Sequence, residues 1–339
     1  MIPYRTRNAL RKLCVTVLII LLAASAVLLC WLLWLNRYVI YTQEGAKLNF
    51  DLSPLLPEGQ LAVPPSSAPE IDIYYNEGEN VILPESTELT QLSGLYITGD
   101  MLSQNFDAVR NELKTLPAET PVMLDVKNFR GEFYYTTTLG KNTTAIDPAQ
   151  MDSLIKDLKR TNHYLIARLP ALRDYWYGLE HVNDGIFNPN RLSLWMDADR
   201  CYWLNPSSDG TLDYLRQIAK EVRTLGFDEV VFTDFCVPDT NANYFEGDRD
   251  EAINKTAASL VTICATDTFA VSFANSSETF QLPEGRSRLF LQDVAAADAA
   301  AVAERTGFAD PSVRLVFMTN LMDTRYDDYG VLRPMDVPQ

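Results

Sequence analysis

The stretch LGFDEVVFTDFCVP, residues 225–238, decides the fold. Gly226 closes a helical pattern that begins near Leu212, because glycine adopts the left-handed conformation that commonly ends a helix. The run Val230, Val231, Phe232 follows, β-branched and apolar with no polar face of period two. That is the pattern of a strand covered on both sides, as in a parallel sheet. The run ends on Thr233 and Asp234, a carboxylate where the strand leaves the core, and Pro238 prevents further pairing. A helix, a short turn, a buried strand and an acid at its carboxyl end make one unit of an α/β barrel or doubly wound sheet. Ligands of such folds sit at that end of the strands. Asp234 is therefore a candidate for chemistry; the plainer reading is that it caps the next loop.

The rhythm of that unit extends in both directions. Short apolar runs at residues 94–98, 121–127, 163–169, 269–273, 288–292 and 313–318 alternate with helical patterns near 105–115, 148–161, 250–264 and 295–306. Alternation of this kind predicts a parallel sheet with helices outside it. Seven strands are countable after Leu92. A closed (β/α)8 barrel of the TIM type needs eight, so the barrel is either incomplete or completed by the tail near Val331. Polar residues at the strand ends supply the candidate site: Asp125 and Lys127, Arg168, Asp234 and Asp293. They either meet a ligand or close the mouth as ion pairs. Asp174 and Asp197 lie in the long segment after the third strand, with Trp176, Trp195 and Trp203 beside them. Aromatic rings among acids suit stacking on sugars and hydrogen bonding to hydroxyls, or the rings pack the segment itself.

Upstream, residues 13–35 are an almost unbroken apolar run of 23 residues, long enough to cross a bilayer. Arg5, Arg7, Arg11 and Lys12 precede it, which places the amino terminus in the cytoplasm. A cleaved signal peptide is the competing reading. Ala24-Ser25-Ala26 mimics a cleavage site, yet the apolar run continues through Trp31 and Trp34. Cys30 lacks the small preceding residue of a lipoprotein cysteine. The expectation is an uncleaved, single-pass anchor in the cell membrane with an extracytoplasmic body. Residues 1–37 are then the tip and anchor, 38–91 a proline-rich stalk with a short strand at 71–75, and 92–339 the barrel. Pro54, Pro57, Pro64, Pro65 and Pro69 stiffen the stalk.

The net charge is −16. The five cations before Tyr38 face no acid, so the remainder holds 24 cations against 45 acids, a charge of −21. So acidic a body is a poor partner for nucleic acid, whereas an uncharged polysaccharide meets no such penalty. Two histidines, His163 and His181, are too few for histidine-rich zinc sites or metal-dependent deacetylation, and neither is placed for a serine triad. Five cysteines show neither metal-ligand nor disulfide spacing. No cofactor and no metal are expected.

Four motifs occur in order: DVKNFRG (125–131) followed by Tyr134 and Tyr135, ARLPALRD (167–174), WMDADRCYWLNP (195–206) and GFDEVVFTD (226–234). The set resembles the glycoside hydrolase-like domain of bacterial surface proteins, a family grouped with α-amylase-like TIM barrels. The resemblance covers residues 92–238 well and the remainder weakly. It implies a barrel that acts on or binds a polysaccharide or cell-wall glycan, with the family's strand-end acid mapped onto Asp234 one residue out of step. Departures are visible. Cys236 and Val237 stand where the family has Arg-Phe, Ala274 stands where its fifth strand ends in an acid, and no Pro-Met-Tyr-Pro accompanies Leu291. Glycoside hydrolysis normally needs two carboxylates. Asp234 is the expected nucleophile or stabiliser, with Asp125 and Arg168 beside it and Glu278 or Asp293 as the acid. Loss of the fifth-strand acid leaves open a catalytically silent barrel that binds glycan or protein.

Overall fold

A computed structural model describes residues 39–42, 45–48 and 88–336. The expected anchor at 13–35, the proline-rich stretch beyond Leu48 and the strand at 71–75 lie outside the described residues. Among the described residues no helix is long and apolar enough to cross a membrane. By internal contacts the chain divides into two units, Met1–Glu79 and Asn80–Gln339. What is described of the first is an antiparallel pair, Val39–Thr42 with Gly45–Leu48.

The second unit is a closed barrel of eight parallel strands in sequential order. They are β1 (Ser93–Ile97), β2 (Val122–Asp125), β3 (Leu165–Pro170), β4 (Glu229–Thr233), β5 (Ala270–Ala274), β6 (Leu289–Gln292), β7 (Leu315–Met318) and β8 (Gly330–Pro334). The tail does supply the eighth strand. Gly330–Pro334 pairs with β7 on one side and with β1 on the other, Val331 against Ser93 and Pro334 against Tyr96.

Helices cover the outside. They are α1 (Gly99–Gln104), α2 (Phe106–Leu113), α3 (Pro148–Arg160), α4 (Tyr175–Glu180), α5 (Asp209–Leu225), α6 (Arg249–Cys264), α7 (Ala299–Thr306) and α8 (Pro311–Arg314). α5 buries Tyr214, Leu215, Ile218, Ala219 and Val222, the three- and four-residue spacing of one helical face. Ser208 caps its start, and Gly226, at φ 104°, ends it as the sequence predicts. Among the described residues no α-helix joins β5 to β6; Phe280 and Leu282 from that irregular connection cover the outer faces of Leu289 and Leu291 instead.

Strand parity then places the site. Val230 and Phe232 of β4 pack outward against the helices, while Val231 joins Met123, Ile166, Phe290, Val316 and Leu332 inside the barrel. Because side chains alternate, Asp125 two residues beyond Met123 and Arg168 two beyond Ile166 also face inward, at the carboxyl end. The amino end is closed by polar groups. Arg288 and Glu229 are 1 % and 0 % exposed and form an ion pair, with Tyr164 Oη and Ser272 Oγ donating to the same carboxylate. Arg288 also donates to the carbonyls of Thr90 and Val313 at 2.7 and 3.0 Å.

Candidate active site

A cleft of about 550 Å³ opens at the carboxyl ends of the strands, and Asp125, Arg168, Arg173, Tyr134 and Asp234 line it. Asp125 ends β2 as a saturated acceptor. Its Oδ1 takes Arg168 Nε at 2.5 Å, and its Oδ2 takes Arg168 Nη2 at 3.0 Å and the Gly99 N–H at 2.8 Å. Burial lowers the pKa of Arg168 and the Asp125 bonds raise it; the bonds prevail, so it stays charged. Nη1 is the edge of the guanidinium those two bonds leave unused. Tyr96, inside β1, lies with its ring centroid 5.7 Å from the guanidinium. Burial pushes its phenol up, the Arg168 charge offsets part of that push and the Asp293 charge adds to it.

Asp234 sits one residue past β4. By parity alone it would point outward, since Thr233 is the inward residue. Its backbone takes φ 46°, a left-handed conformation that breaks the alternation, and both Thr233 and Asp234 line the cleft. After β6 Gln292 lines the cleft and Asp293 follows at φ 57°, exposed and outside the lining. Two of the six non-glycine residues with positive φ among the described residues are thus the aspartates that follow these two even-numbered strands. Backbone strain of this kind concentrates at functional sites. The Asp234 carboxylate has no hydrogen bond or ion pair among the described residues. Burial holds its pKa above the usual carboxylate value, only partly offset by the charges of Arg173 and Lys127.

The remaining predicted residues fall into separate places. Lys127, on the cleft lining, and Asp174 behind it have side chains that are both 0 % exposed and pair at 2.7 Å. Lys127 also donates to the Pro170 carbonyl at 2.9 Å, and Asp174 caps α4 and accepts from Tyr214 Oη at 2.9 Å. Buried and paired, they shape the cleft wall. Asp197 accepts Arg173 Nε at 2.7 Å and Trp203 Nε1 at 3.0 Å, while Asp199 accepts Arg173 Nη2 at 2.5 Å. Trp203 is buried against Trp195, ring centroids 6.5 Å apart, so these two rings pack the long segment after β3. Trp176 lines a different hollow of about 420 Å³ with Lys141 3.2 Å above its ring. Glu278 is not in the cleft: its side chain, 81 % exposed, pairs with Arg305 beside an outer groove of about 680 Å³. Arg173, Tyr134 and Tyr96 are the members that motif reading passed over. The first two lie inside the quoted motifs, and the period-two count along β1 finds the third.

The residues 94–268 match a family described as "Putative glycosyl hydrolase domain". No curated protein matches the chain. Among solved structures, an α-galactosidase from Thermus thermophilus in complex with p-nitrophenyl α-D-galactopyranoside is 9 % identical, with a TM-score of 0.51 over 74 % of this chain and 59 % of its own. An α-galactosidase from Lactobacillus brevis is 12 % identical at a TM-score of 0.48, over 74 % of this chain and 38 % of its own. A hypothetical protein from Ruminiclostridium thermocellum is 21 % identical at a TM-score of 0.45, over 52 % of this chain and 96 % of its own. The chain spans less than two thirds of either galactosidase, and at these identities the likeness carries the fold alone. With the family matching more than half of its length, the chain belongs to the glycosyl hydrolase-like family that this description names.

Proposed function

We propose that the protein hydrolyses O-glycosidic bonds of a polysaccharide at the mouth of its barrel. Asp234 is the carboxylate that faces the anomeric carbon, and Asp293 gives a proton to the departing oxygen. The observation that carries the reading is Asp234 itself: a half-buried, unpartnered carboxylate turned into a cleft by a left-handed backbone. A negative charge held without hydrogen-bond partners is placed to stabilise an oxocarbenium-like transition state. Asp293 is preferred to Glu278 as the acid because it directly follows Gln292 of the cleft lining, whereas Glu278 pairs with Arg305 at the outer groove. Arg168, oriented by Asp125, offers its free Nη1 edge to a sugar hydroxyl.

In this scheme Asp293 protonates the glycosidic oxygen as the bond to the anomeric carbon breaks, and the leaving sugar departs as an alcohol. Water then adds to the anomeric carbon and returns its proton to Asp293. Turnover of a panel of oligosaccharides tests the assignment. Asp234→Asn removes hydrolysis. Asp293→Asn lowers it by about 10²–10⁴-fold, far less for aryl glycosides whose leaving group needs no proton. Glu278→Gln leaves it unchanged. A second reading, a barrel that binds glycan without cleaving it, is favoured by Ala274, which lines the cleft where the resemblance expects an acid. Retained binding with no turnover of any glycan decides for that reading.

The apolar run at residues 13–35 supports placing this barrel outside the cytoplasm on a single-pass anchor. Protease added to intact cells then removes the barrel, and full protection contradicts the placement.

A further inference from the structure

A second hollow lies toward the amino ends of the strands, away from the cleft. α2 and α3 both finish beside it, and the turns that lead into β2 and β3 close it around a cavity of about 330 Å³. We infer that this cavity binds the phosphate monoester of a small polyol, at a site independent of the glycan cleft. In a chain of net charge −16, its wall carries Arg110, Lys114 and Arg160 against a single carboxylate, Asp157. Leu113, Leu154 and Leu158 add apolar surface that suits the carbon skeleton of the ligand.

The chain leaves these cations incompletely satisfied. Arg110 Nη2 donates to Asp157 Oδ2 at 2.8 Å and Arg160 Nη2 donates to Oδ1 at 2.9 Å, while Lys114 Nζ meets the neutral Asn111 side chain at 3.3 Å. Arg110 Nε is buried with no partner, and neither Nη1 group is bonded among the described residues. Buried donors ordinarily find acceptors, so a guanidinium left short of them on a cavity wall suits an acceptor from outside the chain. The Arg110 hydrogen bond outweighs burial and, with the charges of Arg160, Arg110 and Lys114, holds the Asp157 carboxyl below its ordinary value. All three cations thus converge on one point. Three cations less one carboxylate leave a formal excess of two, and the carbonyl ends of α2 and α3 offset part of it. What remains fits one phosphoryl group, which carries about 1.5–2 negative charges at neutral pH, rather than a polyanion.

His163 supplies the second recognition element. It is 3 % exposed and lines the cavity. Its Nδ1 lies 3.0 Å from the Thr120 carbonyl, which only accepts, so in the neutral ring Nδ1 carries the proton and Nε2 presents a lone pair. Among the described residues Nε2 has no partner. A hydroxyl of the ligand donates to it while the phosphoryl oxygens accept from Arg110, Lys114 and Arg160.

Isothermal titration of the full chain with glycerol phosphate, methyl phosphate and glycerol tests the site. Glycerol phosphate binds and glycerol does not. Methyl phosphate, with no hydroxyl for His163, binds about three- to tenfold more weakly, the effect of one neutral hydrogen bond. Lys114→Gln and Arg160→Gln each lower the affinity for glycerol phosphate about tenfold, the effect of one charge-assisted bond. Both side chains are exposed, so the melting temperature of the free protein stays unchanged. A short-chain lysophosphatidic acid, which carries the same phosphoryl and hydroxyl groups, identifies the source. Either order of affinity supports the site: tighter binding than glycerol phosphate assigns it to a lipid headgroup, weaker binding to a free polyol phosphate. No binding of any of these phosphate esters, or an affinity unchanged in both variants, overturns the inference. Glycerol binding as tightly as glycerol phosphate overturns it too, and equal affinity for methyl and glycerol phosphates overturns the assignment to a polyol.

Discussion

Asp234 and Lys127 show how differently two charged side chains at one barrel mouth behave. The folded-state pKa of Asp234 lies above its ordinary value, chiefly through burial, so the native state favours the protonated form. Its contribution to stability is full below the unfolded value and is lost as pH rises through the raised one. At neutral pH, Asp234→Asn therefore leaves the melting temperature unchanged or raises it, as thermal melts will show. The acid limb of the pH–rate profile lies correspondingly above the ordinary aspartate range. Had Asp234 been the partner of Arg168 or Lys127, the substitution would have cost stability; those cations pair instead with Asp125 and Asp174. Lys127→Met is the contrasting case. It leaves Asp174 buried without its cation, which costs about 3–5 kcal/mol. For a domain of this size the loss lowers the melting temperature by roughly 6–20 °C.

Among the elements, the junction of α5 and β4 sets the position of Asp234. Gly226 ends α5 at φ 104°, and its amide donates to the carbonyls of Val222 and Arg223. Asp228 next accepts the Leu165 amide at 2.8 Å and Lys159 Nζ at 2.6 Å, fixing the register of β4 against β3. A methyl group at position 226 meets only the flexible Lys159 side chain, so Gly226→Ala is strained by its backbone and not by crowding. The expected cost is about 1–2 kcal/mol, read from denaturant melts, with turnover preserved because β4 retains its pairing. Gly131 differs. At φ 82° its added methyl would collide with the Asp174 carboxylate, so Gly131→Ala disturbs both the turn and the Lys127 pair behind the cleft. A larger stability loss than at position 226 is expected, and equal losses would show that the Asp174 contact is slack.

For the molecule as a whole, closure is the deciding event. β8 joins β7 to β1 with Val316, Phe317 and Met318 on one side and four pairs from Ser93 to Tyr96 on the other. Truncation before Gly330 leaves two unpaired parallel edges, and such edges recruit other chains. The truncated protein is expected to lose its cooperative melt and elute as aggregate; a monomer with an unchanged melt would show that the open barrel suffices. At the opposite end, the Glu229–Arg288 pair ties β4 to the segment before β6 and, through the Thr90 carbonyl, to the entry of β1. That network closes the floor, while the cleft end keeps unpaired acids.

Much of the architecture was already determined by local pattern. Periodicities of two and 3.6 distinguish strands from helices, Gly226 marks a stop, and parity along β2 and β3 points Asp125 and Arg168 inward. These are properties of neighbouring residues, so sequence alone reveals them. The countable strands stopped at seven; the tail near Val331 was one of two openings left for the eighth, and its pairing with β7 and β1 decides it. The pairing of charges lay further out of reach. Arg168 meets Asp125 across 43 residues and Lys127 meets Asp174 across 47, distances bridged by strand register and loop path, which no local pattern encodes. The same holds for Glu278, which folds onto the outer surface, and for Asp234. Its one-residue offset from the family pattern would turn it away from the cleft, had the chain not entered the left-handed region there. The sequence by itself determined that Asp125 and Arg168 face inward at the end of the barrel; tertiary structure decided which other charges join them, which neutralise one another and which remain for a ligand, because that choice depends on contacts between distant segments.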